Sequence, residues 1–149
     1  MASGPALLER YRQASDDTRR IIDQLLIQDA DDQAWAEQIG PVYRQGNVAL
    51  LLGKSRQAVS DDRRLLRLEM RSGGIGYPVF QFDGRRMLPG VAEVNAILGP
   101  AVATSWTVAS WLTSAQPALD GATPLDRLRE GHVEVVTLAA RRFASALAG

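Results

Sequence analysis

The stretch GNVALLLGKSRQAVSDDRRLLRL, residues 46–68, constrains the fold most strongly. Asn47 is predicted to be the N-cap of a first helix that ends before Gly53, where a glycine permits a tight turn. Ser55 is predicted to cap a second helix that runs from Arg56 to about Leu66. Two short helices joined by a glycine-containing turn predict a helix-turn-helix.

The residues that follow this pair change from helical to alternating periodicity. Phe80 and Phe82 flank Gln81, and Asp83-Gly84 separates the apolar run VFQF from RRML. Asp-Gly between two alternating runs is a strong signal for a β-hairpin. We therefore expect a small sheet of two or three strands, followed by a short helix, VAEVNAIL, that Gly99-Pro100 ends.

The last third of the chain is predicted to be helical. Thr123 is a suitable N-cap, Pro124 fits the first helical position, and Asp126 places a carboxylate near the positive end of the helix dipole. Gly131 ends this helix. An earlier helix is predicted from the shared face of Val102, Trp106, Ala109 and Leu112, with Trp106 in the core. An amphipathic closing helix is predicted from the spacing of Val133, Val136, Ala140, Phe143 and Leu147.

The first 45 residues carry weaker signals. Apolar residues between positions 6 and 28 fall on one helical face, although QASDDTRR interrupts it. Asp31 or Asp32 is predicted to cap a short helix that Gly40-Pro41 ends. We divide the chain into an N-terminal helical extension (1–45), a helix-turn-helix with a β-hairpin (46–99) and a C-terminal helical region (100–149).

Composition limits the classes of protein to which the chain can belong. Its 149 residues are 46% apolar and 23% charged, with a formal net charge of zero, which is typical of a globular domain. A neutral chain has no overall field that attracts nucleic acid, so DNA binding requires a local basic patch. The sequence contains no cysteine, no secretory signal and no apolar run of the ~18 residues that a membrane span needs. A cytoplasmic protein is expected.

Residues 111–131, WLTSAQPALDGATPLDRLREG, closely resemble the toxin-binding segment of the Xre/MbcA/ParS antitoxin family. That segment has an aromatic-Leu pair, a linker with proline, a Leu-x-Gly turn and a helix that starts with Thr-Pro-Leu-Asp. The upstream stretches VALLLGKSRQAVS and YPVFQFDGRRMLPG are similar to the DNA-binding half of the same family. The matching positions of the toxin-binding segment are Trp111, Leu112, Pro117, Leu119, Gly121, Thr123, Pro124, Leu125, Asp126 and Leu128.

The resemblance implies an antitoxin of a type II toxin–antitoxin pair. Members of this family bind RES-domain toxins, which destroy NAD, and block access to the toxin's active site. Many of them also bind their own promoter through the helix-turn-helix. The resemblance further implies a homodimer and no cofactor.

A neutralising surface requires a rigid shape with a few directed polar groups, and no catalytic residue. Pro117 and Leu119 are predicted to be exposed apolar knobs between two helices, and the prolines reduce the entropy lost on docking. In the closing helix, Arg141 and Arg142 are candidates for polar contacts with the toxin. For Trp111 and Leu112, packing inside the protein is an equally good explanation.

The second helix of the helix-turn-helix carries side chains that suit phosphates and base edges. These candidates are Ser55, Arg56, Gln57, Ser60, Arg63 and Arg64. Asp61 and Asp62 lie among them, and a carboxylate that faces DNA opposes the phosphates. Local charge therefore leaves the DNA affinity open.

Nothing in the sequence predicts an enzyme or a metal site. His132 is the only histidine, and a lone histidine without a second ligand is more often structural. The paired aspartates are adjacent in sequence, and adjacent carboxylates on a helix diverge. SGGIG lacks the lysine of a phosphate-binding loop.

Two alternatives to the antitoxin remain open. The first is a stand-alone transcription regulator whose C-terminal helices only dimerise. The second is an interaction module that binds neither DNA nor a toxin, which the acidic residues at positions 61 and 62 would favour.

Overall fold

A computed structural model describes residues 36–149, and residues 38–149 form one compact unit. The fold is mainly helical with two small antiparallel sheets, as the sequence predicted. The elements are β1 (Val42–Tyr43), α1 (Gln45–Leu52), α2 (Arg56–Asp61), β2 (Leu68–Glu69), β3 (Ile75–Pro78), β4 (Phe82–Asp83), β5 (Arg86–Met87), α3 (Val91–Leu98), α4 (Ser105–Thr113), α5 (Pro124–Arg129) and α6 (Val133–Ala148).

Residues 36–39 are helical and end at Gly40, whose φ is +79°, as Gly40-Pro41 predicted. The helical face predicted over residues 6–28, and the cap predicted at Asp31 or Asp32, lie outside the described residues. None of the helices within residues 36–149 is long and apolar enough to cross a membrane.

The helix-turn-helix forms, but its helix boundaries differ from the prediction. α1 begins at Gln45 rather than after Asn47, because Asn47 lies inside the first turn, where its Oδ1 accepts a hydrogen bond of 3.2 Å from the N–H of Arg44. Gly53 ends α1 with a φ of +64°. Ser55 caps α2 as predicted, since its Oγ accepts from the N–H of Ala58 at 3.0 Å.

α2 is shorter than the prediction, which extended it to about Leu66. It ends at Asp61, and Asp62 has an extended backbone. The carboxylate of Asp62 accepts from the N–H of Arg64 at 3.0 Å, a local side-chain bond that competes with continuation of the helix. The chain then turns inward and buries Leu65 and Leu66.

The predicted sheet forms as two separate sheets. The strand order of the first is β1-β3-β2, and residues 70–74, which we call the wing, form the turn between β2 and β3. The second is the predicted hairpin, in which Asp83 pairs with Arg86 across Gly84-Arg85.

The alternation predicted through Phe80, Gln81 and Phe82 is wrong, because Val79–Gln81 forms a 3-10 turn. The side chain of Gln81 is fully buried. Its Oε1 accepts from the N–H of Leu66 at 2.8 Å, and its Nε2 donates to the carbonyl of Leu66 at 2.9 Å. A buried amide requires hydrogen-bond partners, and the 3-10 turn directs Gln81 towards the backbone of Leu66, which supplies them.

Two features of the C-terminal helices were predicted correctly. Thr123 caps α5 and accepts from the N–H of Asp126 at 3.0 Å, and Gly131, with a φ of +88°, ends the segment before α6. In α6 the apolar face is shorter than expected, since Leu147 remains 52% exposed beyond the core. Trp106 is half-buried rather than in the core, and its indole N–H donates to the carbonyl of Glu69.

The predicted boundary at residues 99/100 lies between elements that share a core. α3 precedes the boundary and packs against α6, which follows it. Gly90, with a φ of +98°, lies against α5: a Cβ at this position would overlap Cδ2 of Leu128. The start of α3 and the C-terminal helices are therefore in direct van der Waals contact at a position that has no room for a side chain.

Gly90→Ala should destabilise the protein more than Gly84→Ala. Both glycines have positive φ, which costs about 1 kcal/mol for an alanine, but a Cβ at Gly84 meets open space. At Gly90 the overlap adds about 1–3 kcal/mol. The free energies of unfolding of the two variants in urea give the comparison. Equal losses in the free energy of unfolding would show that the side chain of Leu128 moves aside without an energetic cost.

Candidate nucleic-acid interface and candidate toxin-binding surface

α2 has one buried face and one exposed face. Val59 is fully buried, whereas Arg56, Gln57 and Asp61 are exposed. Ser60 is half-buried, and its Oγ accepts a bond of 2.7 Å from Nε2 of Gln45. The helix therefore offers solvent a short polar strip while it remains fixed to α1 by Val59 and Ser60.

A groove of about 1030 Å³ lies between α1, α2 and β3. Its walls include four cationic side chains, and none of its lining residues is acidic. Clustered cations with nearby backbone and hydroxyl donors suit a phosphate backbone. The four are Arg44, Lys54, Arg56 and Arg67.

Two side chains fix α2 against this groove. Gln45 donates to the carbonyl of Arg56 at 2.7 Å, and Arg67 donates to the carbonyl of Ser60 at 2.6 Å. The backbone of α2 is therefore tied to α1 on one side and to the residue before β2 on the other.

Sequence reasoning missed three of the four cations, namely Arg44, Lys54 and Arg67. They lie outside α2, and no local spacing relates them to one another. The pairing of β1 and β2 with β3 brings Arg44 and Arg67 to the same groove. Only the register of the sheet could have predicted this cluster.

Asp62 does not face outward as the sequence suggested, because its side chain is only 8% exposed. Its carboxylate accepts from Nε and Nη2 of Arg64 at 2.9 and 2.8 Å, and lies 3.4 Å from Nζ of Lys54. The hydrogen bond from Arg64 is the main reason that the pKa of Asp62 falls to about 2, against the opposing effect of burial. Asp62 is therefore an internal partner of two cations.

Asp61 keeps the outward position that the sequence predicted. It is exposed, and its Oδ1 accepts from Nε2 of Gln57 at 3.1 Å. The concern that a carboxylate faces the phosphates thus applies to Asp61 and not to Asp62. Arg63 and Arg64 are both exposed, Arg64 by 62% of its side chain.

Half of the predicted toxin-binding residues are buried. Trp111 packs against Phe143 with 6.1 Å between ring centroids, so internal packing accounts for the aromatic-Leu pair. The expectation that Leu119 is an exposed knob is wrong, since it is 3% exposed. The buried members are Trp111, Leu112, Leu119, Pro124, Leu125 and Leu128.

The remaining candidates reach the surface. The segment from Gln116 to Ala122 closes on itself: the carbonyl of Gln116 accepts from the N–H groups of Leu119 and Gly121, each at 3.0 Å. This closed elbow directs Leu119 inward and leaves Pro117 at the surface. The exposed candidates are Pro117, Gly121, Asp126, Arg141 and Arg142, and Thr123 is half-buried.

α6 presents a second exposed surface next to these candidates. Val135 and Leu138 are each 45% exposed. Helical spacing places them on the same face as Arg141 and Arg142. An apolar pair flanked by two arginines is a composition found in protein interfaces.

His132 is exposed, and its Nε2 lies 3.5 Å from the carboxylate of Glu130. Within the part of the chain that the structure describes, no group of three His, Cys, Asp or Glu residues could hold a metal ion.

No protein-family model matches the sequence, and neither does any protein of curated function. The NMR structure of Rv2175c is similar to this chain, with a TM-score of 0.60 and 24% sequence identity. The match covers 70% of this chain and 81% of that chain. At this level of identity it supports the fold alone.

Replacing Asp62 should give a pH-dependent loss of stability. The folded pKa of about 2 is below the ordinary pKa of 3.8 for an aspartate, so ionised Asp62 stabilises the protein above pH 4, and this contribution is lost as the pH falls towards 2. We expect Asp62→Asn to reduce the free energy of unfolding by about 1 kcal/mol at pH 7, after allowance for the exposure of Arg64. Urea denaturation at pH 7, 4 and 2.5 measures this difference.

An Arg64→Ala background supplies the control for this prediction. Without its main hydrogen-bond donor, Asp62 should contribute less, so the effect of Asp62→Asn should shrink at pH 7. A difference of the same size at every pH would contradict the proposed origin of the stabilisation.

Proposed function

We propose that the chain binds DNA through its helix-turn-helix and wing, and that its C-terminal helical region binds and neutralises a RES-type toxin. Neutralisation would occur by occlusion of the toxin's active site. DNA binding would let the protein regulate its own operon, with two copies on a two-fold operator. Three features support the proposal: the groove with four cations beside α2, the closed elbow of residues 116–122, and the resemblance of residues 111–131 to antitoxins.

The groove beside α2 is the observation that carries the DNA-binding part. It concentrates four cations on a chain whose formal net charge is zero. Such local concentration is what phosphate binding requires when the whole protein has no attracting field. The wing, residues 70–74, borders the same groove, since Gly74 is one of the residues that line the groove.

Arg56→Ala should weaken DNA binding and reduce its salt dependence. Arg56 is exposed beside the groove, so its loss removes about one phosphate contact, and the slope of log affinity against log salt should fall by about 1. The probe is the duplex upstream of the protein's own reading frame, measured by fluorescence anisotropy between 50 and 300 mM salt.

Arg142→Ala is the matched control, because it removes the same charge from α6, outside the groove. It should leave both affinity and slope unchanged. If Arg142→Ala weakens binding as much as Arg56→Ala does, the attraction is not local to the groove and the proposed interface is wrong.

The toxin-binding part rests on the closed elbow and on α6. Because the core already holds the apolar members of the motif, contact with a partner would fall to the exposed ones, chiefly Pro117, Asp126, Arg141 and Arg142. The hydrogen bonds within the elbow fix its shape before docking, which reduces the entropy cost of association.

Co-expression with the product of the neighbouring reading frame tests neutralisation. Wild type should form a complex, preserve cellular NAD and restore growth. Arg141→Ala combined with Arg142→Ala should weaken the complex by about tenfold or more if these arginines are interface anchors. Arg56→Ala should neutralise as well as wild type does. Full protection by the double variant would remove the arginines from the interface.

One observation favours a second candidate, a stand-alone regulator whose C-terminal helices serve only as structure. Trp111, Leu112 and Leu119 are satisfied by the core and need no partner. Wild-type protein that binds the upstream duplex, but forms no complex with the neighbouring gene product, would support this candidate over the antitoxin.

A further inference from the structure

The guanidinium of Arg64 is held at one edge and open at the other. Its Nε and one N–H of Nη2 donate to the two carboxylate oxygens of Asp62. A guanidinium has five N–H donors, so the Nη1 group and the second N–H of Nη2 remain directed away from Asp62. These outer donors form a parallel pair, the arrangement that binds guanine O6 and N7 or two phosphate oxygens.

Burial makes Asp62 a firm support for Arg64. The carboxylate is only 8% exposed, whereas the arginine side chain is 62% exposed. The backbone N–H of Arg64 and the ammonium of Lys54 also bind this carboxylate. Asp62 is thus fixed from three directions, while the arginine it holds projects into solvent just after α2.

We propose that Asp62 is a positioning residue for DNA recognition, which orients the outer edge of Arg64 towards a base or phosphate. This inference rests on the DNA binding proposed above. A long arginine side chain loses rotamer entropy when it is fixed, and an arginine that is already held loses less on contact. Asp62 therefore favours the one target that fits the fixed geometry.

Asp62 also limits attraction that does not depend on sequence. It lies between Lys54 and Arg64, so the two cations and the carboxylate together carry one positive charge instead of two. Non-specific DNA binding follows the number of available cations. The same carboxylate thus weakens binding to every duplex through its charge and supports one directed contact, and only the directed contact raises the ratio of specific to non-specific affinity.

Asp61 offers a matched control on the same helix. Asp61→Asn and Asp62→Asn each remove one negative charge. Asp61 accepts a hydrogen bond from Gln57, whereas Asp62 accepts from the guanidinium of Arg64. A pure charge effect predicts the same outcome for both variants. A positioning effect predicts a difference between them.

The experiment uses the full chain and two duplexes. One is selected by the wild-type protein from a random-sequence pool, and the other has the same composition in shuffled order. We expect Asp62→Asn to bind the shuffled duplex more tightly, with a salt slope larger by up to about 1. We expect its ratio of specific to non-specific affinity to fall by about fivefold or more, as for loss of a bidentate contact. Asp61→Asn should strengthen binding to both duplexes and leave the ratio unchanged.

Arg64 variants test the same idea without a change at Asp62. Arg64→Ala and Arg64→Lys should both lower the ratio, since lysine keeps the charge but not the planar pair of donors. Adding Asp62→Asn to Arg64→Ala should not lower the ratio further.

The outcomes separate this inference from the proposed function. Failure of the wild type to retain any duplex from the random-sequence pool would disprove the DNA binding itself. Wild type that binds both duplexes equally, or Asp61→Asn and Asp62→Asn variants with equal ratios, would overturn the positioning role and leave DNA binding intact.

Discussion

Two hydrogen bonds between the buried side chain of Gln81 and the backbone of Leu66 connect the parts of this fold. Leu66 lies where the chain leaves α2, and Gln81 lies where it enters the hairpin. Their contact fixes the end of the helix-turn-helix against the segment that leads to α3. The carbonyl of Gln81 also accepts from the N–H of Leu88, which ties in the residue before Pro89-Gly90. A buried amide with all these partners stabilises one arrangement of the chain and no other.

The sequence predicted those features that depend on neighbouring residues. Ser55 and Thr123 cap helices with their own side chains, and the predicted hairpin forms at Asp83-Gly84, with Gly84-Arg85 as its two-residue turn. It did not predict features set by distant contacts. Gln81 turns inward because of Leu66, which lies 15 residues earlier. The early end of α2 was also missed, although its cause is local: the side chain of Asp62 accepts from the N–H of Arg64. The mainly helical fold was therefore accessible from the sequence, whereas several element ends were not.

The candidate sites show the same division. The exposed positions of Arg56, Gln57 and Asp61 follow from helical spacing around the buried Val59. The inward position of Asp62 does not follow from helical spacing, because Asp62 has an extended backbone at the end of α2. In the C-terminal region, the pattern of a proline, Leu-x-Gly and Thr-Pro-Leu-Asp indicated residues of a turn that leads into a capped helix. It did not predict which of them reach solvent, because a sequence motif includes buried and exposed residues alike.

The tight contact of Gly90 with Leu128 has a mechanical consequence. α3, which begins after Gly90, packs against α6, and α5, which carries Leu128, packs against α6 as well. Residues 38–149, which include both α2 and the elbow, form one compact unit. A macromolecule bound at the elbow would therefore be attached to the same unit as α2. Under the proposed function, it would influence DNA association through its own bulk and charge rather than through a change of shape within this unit.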